Sequence, residues 1–332
     1  MLDERKTAIL RAVVETYIET AEPVGSGHIS ASTDLGVSPA TIRNELKQLD
    51  EAGYLEQPHT SAGRIPTDKG YRVFVDTLDR PNLNLERNES QRVNDFFDHA
   101  TGEIEQMLDR TSRMLNDLTG VTSLVVAPDR EAAVVRSVQL VELAPKIAMA
   151  VMVLSDGTVE KGTIDLVDEL DEVSLAVASG HLSASMVGRA VTDASQPSPS
   201  GNAAADRLVE AARAVLTTPA EPGEIYVGGR ASVAGSFEQI ETVREVLALL
   251  EKQLVVVTLL RDVLDRGMSV AIGNETGVDP LAECSLVVAP YAVDGEQVGS
   301  IGLLGPTRMN YPHAMAAVAV VSQSLGKRLS EG

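Results

Sequence analysis

Residues 34–72 read DLGVSPATIRNELKQLDEAGYLEQPHTSAGRIPTDKGYR, and this stretch decides how the N-terminal part of the chain folds. Asp34-Leu35-Gly36-Val37 predicts a tight turn. Ser38 is placed to cap the next helix, and Pro39 falls at its first position, where no backbone N–H partner is lost. Ile42, Leu46 and Leu49 recur at i, i+4 and i+7, so one face of that helix packs inward. The opposite face carries Ala40, Arg43, Asn44 and Lys47. Such small, basic and amide side chains, with Ser38 and Thr41 beside them, suit base edges and neighbouring phosphates in a major groove.

The second half of the stretch predicts a hairpin. Tyr54-Leu55-Glu56 reads as a short strand, His59-Thr60-Ser61-Ala62-Gly63 as the turn and Arg64-Ile65 as the returning strand. Thr67 then caps a helix through Tyr71, Phe74, Val75 and Leu78. His59, Thr60, Ser61 and Arg64 are the wing candidates for DNA contact, and Lys69 is a candidate phosphate contact. A polar outer helix face alone is an ordinary solvated surface. With turn, cap, hairpin and following helix in order, the reading is a winged helix-turn-helix.

Several runs also resemble a known family: PVGS at 23–26, LGVSPATIRNEL at 35–46, GYLEQPHTSAGRIPTDKGYR at 53–72 and GPTRMNY at 305–311. The chain is similar here to the heat-inducible transcription repressors, the HrcA family. The resemblance implies a repressor of chaperone operons that binds an inverted-repeat operator, the CIRCE element. It further implies chaperonin as a partner that keeps the repressor active, and a GAF-like domain carrying an inserted dimerising domain.

Net charge is −20 over 332 residues, an unexpected balance for a DNA binder. Residues 1–80 carry 9 basic and 13 acidic side chains, which leaves 19 and 35 for 81–332. Within 38–72 the numbers are 5 and 5, so the reading head is neutral and the body strongly acidic. Local placement can still bring Arg43, Lys47, Arg64 and Lys69 to phosphates. Few phosphate contacts predict a modest salt dependence and weak nonspecific binding. That balance disfavours a general nucleic-acid coating protein and is compatible with a sequence-specific dimer. There is no signal pattern and no apolar run long enough to span a bilayer. A lone cysteine, Cys284, requires no oxidising compartment, so the expectation is a cytoplasmic protein.

Outside the head, residues 3–20 predict an amphipathic helix ended at Ala21-Glu22-Pro23, and Arg80–Asn84 a linker. Val93, Phe97, Ala100, Ile104, Met107, Thr111, Met114 and Leu118 form a heptad-like stripe, read as one long helix. It fits packing on the chain's own next domain or a dimer contact equally well. From 121 the texture becomes strands: 122–127, 134–143, 147–154 and 158–167, with Ser155-Asp156-Gly157 as a hairpin turn. Residues 168–224 then interrupt with helices near 170–178 and 203–216, a Ser/Pro/Gly-rich break at 195–202, and Pro219 and Pro222. Afterwards come a helix over 237–260, strands near 268–272, 285–293 and 297–304, a turn at Val293-Asp294-Gly295-Glu296, and a last helix over 313–329. The expected fold class is α+β. Its expected parts are a winged helix-turn-helix at 1–80, a linker and long helix at 81–120, a GAF-like domain from 121–167 plus 225–332, and an inserted dimerisation domain at 168–224.

The sequence also bears on rival function classes. The five histidines, at 28, 59, 99, 181 and 313, have no His or Cys at metal-ligand spacing. Cys284 beside an apolar strand reads as packed rather than nucleophilic. Gly299, Gly302 and Gly305 match neither a dinucleotide fingerprint nor a P-loop. No catalytic constellation is found, and neither enzyme activity nor a cofactor or metal is expected. The alternative is a small-molecule-sensing winged-helix repressor using the GAF-like domain as a pocket. With 3% aromatics a stacking pocket is disfavoured. Residues 307–311, TRMNY, could line such a pocket; in the family they are expected to brace the core or a domain interface.

Overall fold

The chain is α+β. A computed structural model describes residues 2–32, 38–60, 62–78, 83–100, 104–128, 133–155, 158–166, 169, 171–191, 198–217, 224–237, 239–265 and 269–331. The expected turn at Asp34–Val37, Ser61, the linker residues Arg80–Asn82, Asp156-Gly157, residues 195–197 of the 195–202 break, Pro219, Pro222 and Met268 lie outside the described residues.

The N-terminal part is built from α1 (Glu4–Thr20), α2 (Ser26–Ser32), α3 (Pro39–Glu51), the strands β1 (Leu55–Glu56) and β2 (Ile65–Pro66), and α4 (Asp68–Asp76). Asp3 caps α1 by accepting from Lys6 N, and Ala21 ends it in the left-handed region at φ 55°. The β1–β2 hairpin gains a third backbone partner upstream, because Val24 and Arg64 exchange N–H···O bonds of 2.9 Å in both directions. Gly63 makes that approach possible, since a Cβ there would stand 2.5 Å from the Val24 carbonyl carbon.

Two helices follow, α5 (Arg87–Asp98) and α6 (Ile104–Thr119). The expected single long helix is therefore corrected. The first helix ends at Asp98; in α6 the stripe residues Thr111 and Leu118 are buried together with Leu108 and Leu115, and Ile104, Met107 and Met114 are half-buried against the same core. The stripe's apolar spacing continued across the break, but His99 and Ala100 end the first helix with αR capping and 3-10-type bonds.

A five-stranded antiparallel sheet forms the body, in the order β7 (Ile225–Gly228), β3 (Thr122–Val126), β10 (Glu296–Pro306), β9 (Cys284–Val293), β8 (Val270–Ile272). The β9–β10 turn places Asp294 and Gly295 at φ 51° and 87°, as a two-residue hairpin of the primed type requires. One face of the sheet packs on α12 (Tyr311–Glu331), α6 and α5. The other packs on α9 (Arg230–Ser236), α10 (Ile240–Leu250) and α11 (Gln253–Asp265). The helix expected over 237–260 is thus two helices that meet at Glu251-Lys252.

Strand pairing also corrects the expected boundaries of the insert. β4 (Val135–Ala144), β5 (Ile147–Leu154) and β6 (Val159–Asp165) form a separate three-stranded sheet. Two helices cover one of its faces, α7 (Glu172–Met186) and α8 (Ala203–Leu216), giving a core of its own between Ala133 and Leu216. The segment that leaves the main sheet after β3 and returns at β7 therefore begins near 133, not at 168. Alternating apolar residues announce a strand but not the sheet it joins. Among the described residues no helix is long and apolar enough to cross a membrane.

Candidate nucleic-acid interface

The outward face of α3 gathers most of the residues expected to read DNA. Ser38 begins the helix: its Oγ accepts from Thr41 N at 3.2 Å and lies 3.0 Å from Thr41 Oγ1. Pro39 occupies the first turn. Ile42, Leu46 and Leu49 are buried against α1 and the hairpin, as their spacing predicts. Ser38, Ala40, Arg43, Asn44 and Lys47 are exposed, and Thr41 is half-buried. Lys47 Nζ stands 3.5 Å from Glu51 Oε1, one turn on. Both side chains are well exposed, so this pair is weak and leaves the lysine able to exchange its partner.

A buried acid on the inner face escaped the sequence reading. The Glu45 carboxylate is 4% exposed and receives Arg5 Nη2 at 2.6 Å and Lys6 Nζ at 3.7 Å from α1. This pins the inner side of α3 to the first helix. The only advance signal was an acidic residue in the middle of an apolar row.

The wing candidates divide. His59 and Thr60 sit exposed at the hairpin tip, which Gln57 Nε2 stiffens by donating to Thr60 O at 3.1 Å and Ala62 O at 2.9 Å. Ser61 lies outside the described residues. Arg64 turns inward: Nε is 2.8 Å from Asp50 Oδ2 near the end of α3, and the side chain is only 17% exposed. Lys69 also folds back, donating to Ala52 O at 2.9 Å and standing 4.2 Å over the Tyr54 ring. Arg64 and Lys69 therefore brace the hairpin and the C-terminal end of α3 in this structure. Their partners Asp50 and Ala52 O lie across the fold and not beside them in sequence.

α4 joins the α1–α3 and hairpin unit to the body. Thr67 Oγ1 caps it at Gly70 N (3.3 Å) and also donates to Gly53 O (2.8 Å). Tyr71, Phe74 and Val75 bury into the core that includes α12. The 305–311 run reaches the same place: Tyr311 is fully buried, its Oη donates to Thr307 O at 2.6 Å, and Ser285 Oγ lies 2.7 Å away. Burial pushes the phenol well above its ordinary range despite the Ser285 hydrogen bond. Among the described residues there is no group of three or more His, Cys, Asp or Glu that could hold a metal ion. Cys284 is buried, and desolvation pushes its thiol up to about 12.

Comparison with known proteins places this arrangement. Residues 105–315 match the family model described as the HrcA protein C terminal domain. The heat-inducible transcription repressor HrcA of Streptomyces avermitilis is 38% identical, with all of both chains covered. That of Thermobifida fusca is 37% identical over 99% of this chain and 98% of its own, and that of Desulfitobacterium hafniense 34% identical over 99% and 98%. A crystal structure of a hypothetical protein superposes with a TM-score of 0.69 at 23% identity, covering 100% of this chain and 99% of that one, which establishes a shared fold. The chain belongs to the heat-inducible transcription repressor family, HrcA.

Proposed function

We propose that this member of a family of heat-shock gene repressors reads an inverted-repeat operator as a homodimer, with α3 in the major groove. The observation that carries this reading is the outer face of α3, where Ser38, Ala40, Arg43, Asn44 and Lys47 stand exposed beside an exposed hairpin tip. The α1–α4 unit with its hairpin serves as a winged helix-turn-helix, and the five-stranded body as a GAF-like domain. Arg43 and Asn44 have the donor and acceptor groups for base edges, with Ser38, Ala40 and Thr41 alongside, and Lys47 the charge for an adjacent phosphate. His59 and Thr60, with Ser61, are wing contacts. Arg64 and Lys69 contribute by holding the wing and α3 together, and meet phosphate only if Asp50 and Ala52 O release them.

The insert supplies the dimer contact. Its sheet is covered by α7 and α8 on one side, while Val141 (41%), Leu143 (54%) and Val159 (57%) are exposed. Ile147, Met149, Val151 and Val153 of β5 are only half-buried. An apolar sheet surface of this kind, on a chain of net charge −20, favours association through the insert over association elsewhere. Chaperonin acts as the partner that returns heat-opened chains to the binding-competent state. Operator binding makes the cytoplasm its place of action. Gel-shift titration with the palindrome, a single half-site and a scrambled duplex, with and without chaperonin and ATP, tests the reading. Equal affinity for palindrome and scrambled duplex would refute it.

A further inference from the structure

The head is docked on the body by side chains that neither DNA contact nor dimerisation uses. Arg72 projects from α4 to the edge of the main sheet, where Nε donates to Glu275 Oε1 at 2.9 Å, and Nη2 bonds Glu275 Oε2 and donates to Val270 O at 2.8 Å. Glu275 is held in turn by Ile272 N at 2.9 Å. One turn back on α4, Asp68 Oδ2 accepts from both Asn274 N and Nδ2 at 3.3 Å. Between them Gly273, at φ 52°, leaves no room for a Cβ against the Asp68 carboxylate. Below, the Tyr71 and Tyr311 rings lie 5.8 Å apart, centroid to centroid. A bidentate arginine–carboxylate pair fixes orientation as well as distance.

We propose that this dock sets the operator spacing: by fixing each head on its body, Arg72, Glu275, Asp68 and Asn274 determine the half-site separation that the dimer accepts. The inference rests on the dimeric operator reading above. Its physical basis is a comparison of lengths. One base pair moves a half-site by about 3.4 Å and turns it by about 34°. The connection from α4 to α5 runs over 77–86, and four residues of it fully extended would already reach about 13–14 Å. A head held by that connection and by the non-directional apolar contact of Tyr71 with Tyr311, without the directional Arg72–Glu275 and Asp68–Asn274 bonds, could pivot to follow a half-site displaced by one or two base pairs. A docked head cannot. Arg72 is thus a positioning residue for sequence recognition.

The test titrates the full-length protein against the palindrome, against versions with one or two base pairs added or removed at the centre, and against a single half-site. Variants are Arg72→Met with Glu275→Gln, and Asn274→Ala, whose side chain is exposed. Wild type should lose about tenfold or more at a two-base-pair change, while the double variant should vary by less than about threefold across the set. Asn274→Ala should fall between them. Single half-site affinity should be unchanged in all three. A double variant with the wild-type spacing profile overturns the proposal; should that variant fail to fold, a wild-type profile in Asn274→Ala overturns it. Wild type that binds a single half-site as tightly as the palindrome refutes the dimeric reading instead, and the spacing proposal with it.

Discussion

Arg43 and Lys47 lie one turn apart on α3 and should behave differently. Arg43→Ala is expected to cost about 1–3 kcal/mol on the intact operator and to relax discrimination at one base position, as loss of a bidentate base contact does. Lys47→Ala should weaken all duplexes alike and reduce the salt slope by about one. Binding isotherms on intact and base-substituted operators at several salt concentrations check both, and equal affinity of wild type and Arg43→Ala would remove Arg43 from the base contacts. Asp50→Ala gives a third outcome at this scale. Freed from its partner 2.8 Å away, Arg64 should either swing to phosphate, steepening the salt dependence, or loosen the hairpin and lower affinity without changing that slope. An unchanged affinity and slope would show that the pair serves neither end. Residue roles were legible where they depend on near neighbours, as for the caps Ser38 and Thr67. They were illegible for Arg64, Lys69 and Glu45, whose partners are fixed by the packing of α1, α3 and α4 and not by spacing along the chain.

At the scale of elements, the hairpin depends on one missing side chain. Gly63→Ala would press a Cβ to within 2.5–2.6 Å of the Pro23 and Val24 backbone. It should cost about 1–3 kcal/mol, as overpacking does, and lower operator affinity without altering the oligomeric state. Denaturant titration with parallel gel shifts reads both. The insert should be sensitive to acid. Asp171 caps α7, and hydrogen bonds from Ser174 Oγ (2.6 Å) and N (2.8 Å) hold its carboxyl below the usual range; Ser200 does the same for Asp206. A depressed pKa contributes stability that is present above the ordinary carboxylate value of about 4 and lost as pH falls through the folded value. The insert's melting temperature should therefore drop as pH is lowered past that value, and Asp171→Asn with Asp206→Asn should flatten the acid slope. Most strands were legible from alternation, and the last hairpin from Asp294-Gly295. Sheet membership was not, because β4–β6 alternate as an outer part of the main sheet would, and β7 is only four residues long.

For the whole molecule, deleting 133–217 in favour of a short Gly/Ser linker should give a monomer with much reduced operator affinity, since an inverted repeat gains its affinity from two tethered half-sites. Sedimentation velocity is the direct measurement, and a deletion variant that remains dimeric moves the interface elsewhere. The core reaches further than the reading of separate parts allowed. Ile9, Leu49, Phe74, Leu115, Ile301 and Leu325 belong to one buried cluster that runs from α1 through the sheet to α12, while the insert keeps its own. Consequently the reading head has no melting point to itself. Scanning calorimetry should resolve a head-plus-body endotherm and an insert endotherm, and operator binding should vanish with the first rather than fade ahead of it. Cys284, sealed on the far side of the same sheet, would become alkylated at that temperature and not below it. If the N-terminal unit is the hand that grips the operator, a repressor built this way would give heat an all-or-none answer, letting go only when the body behind that hand gives way.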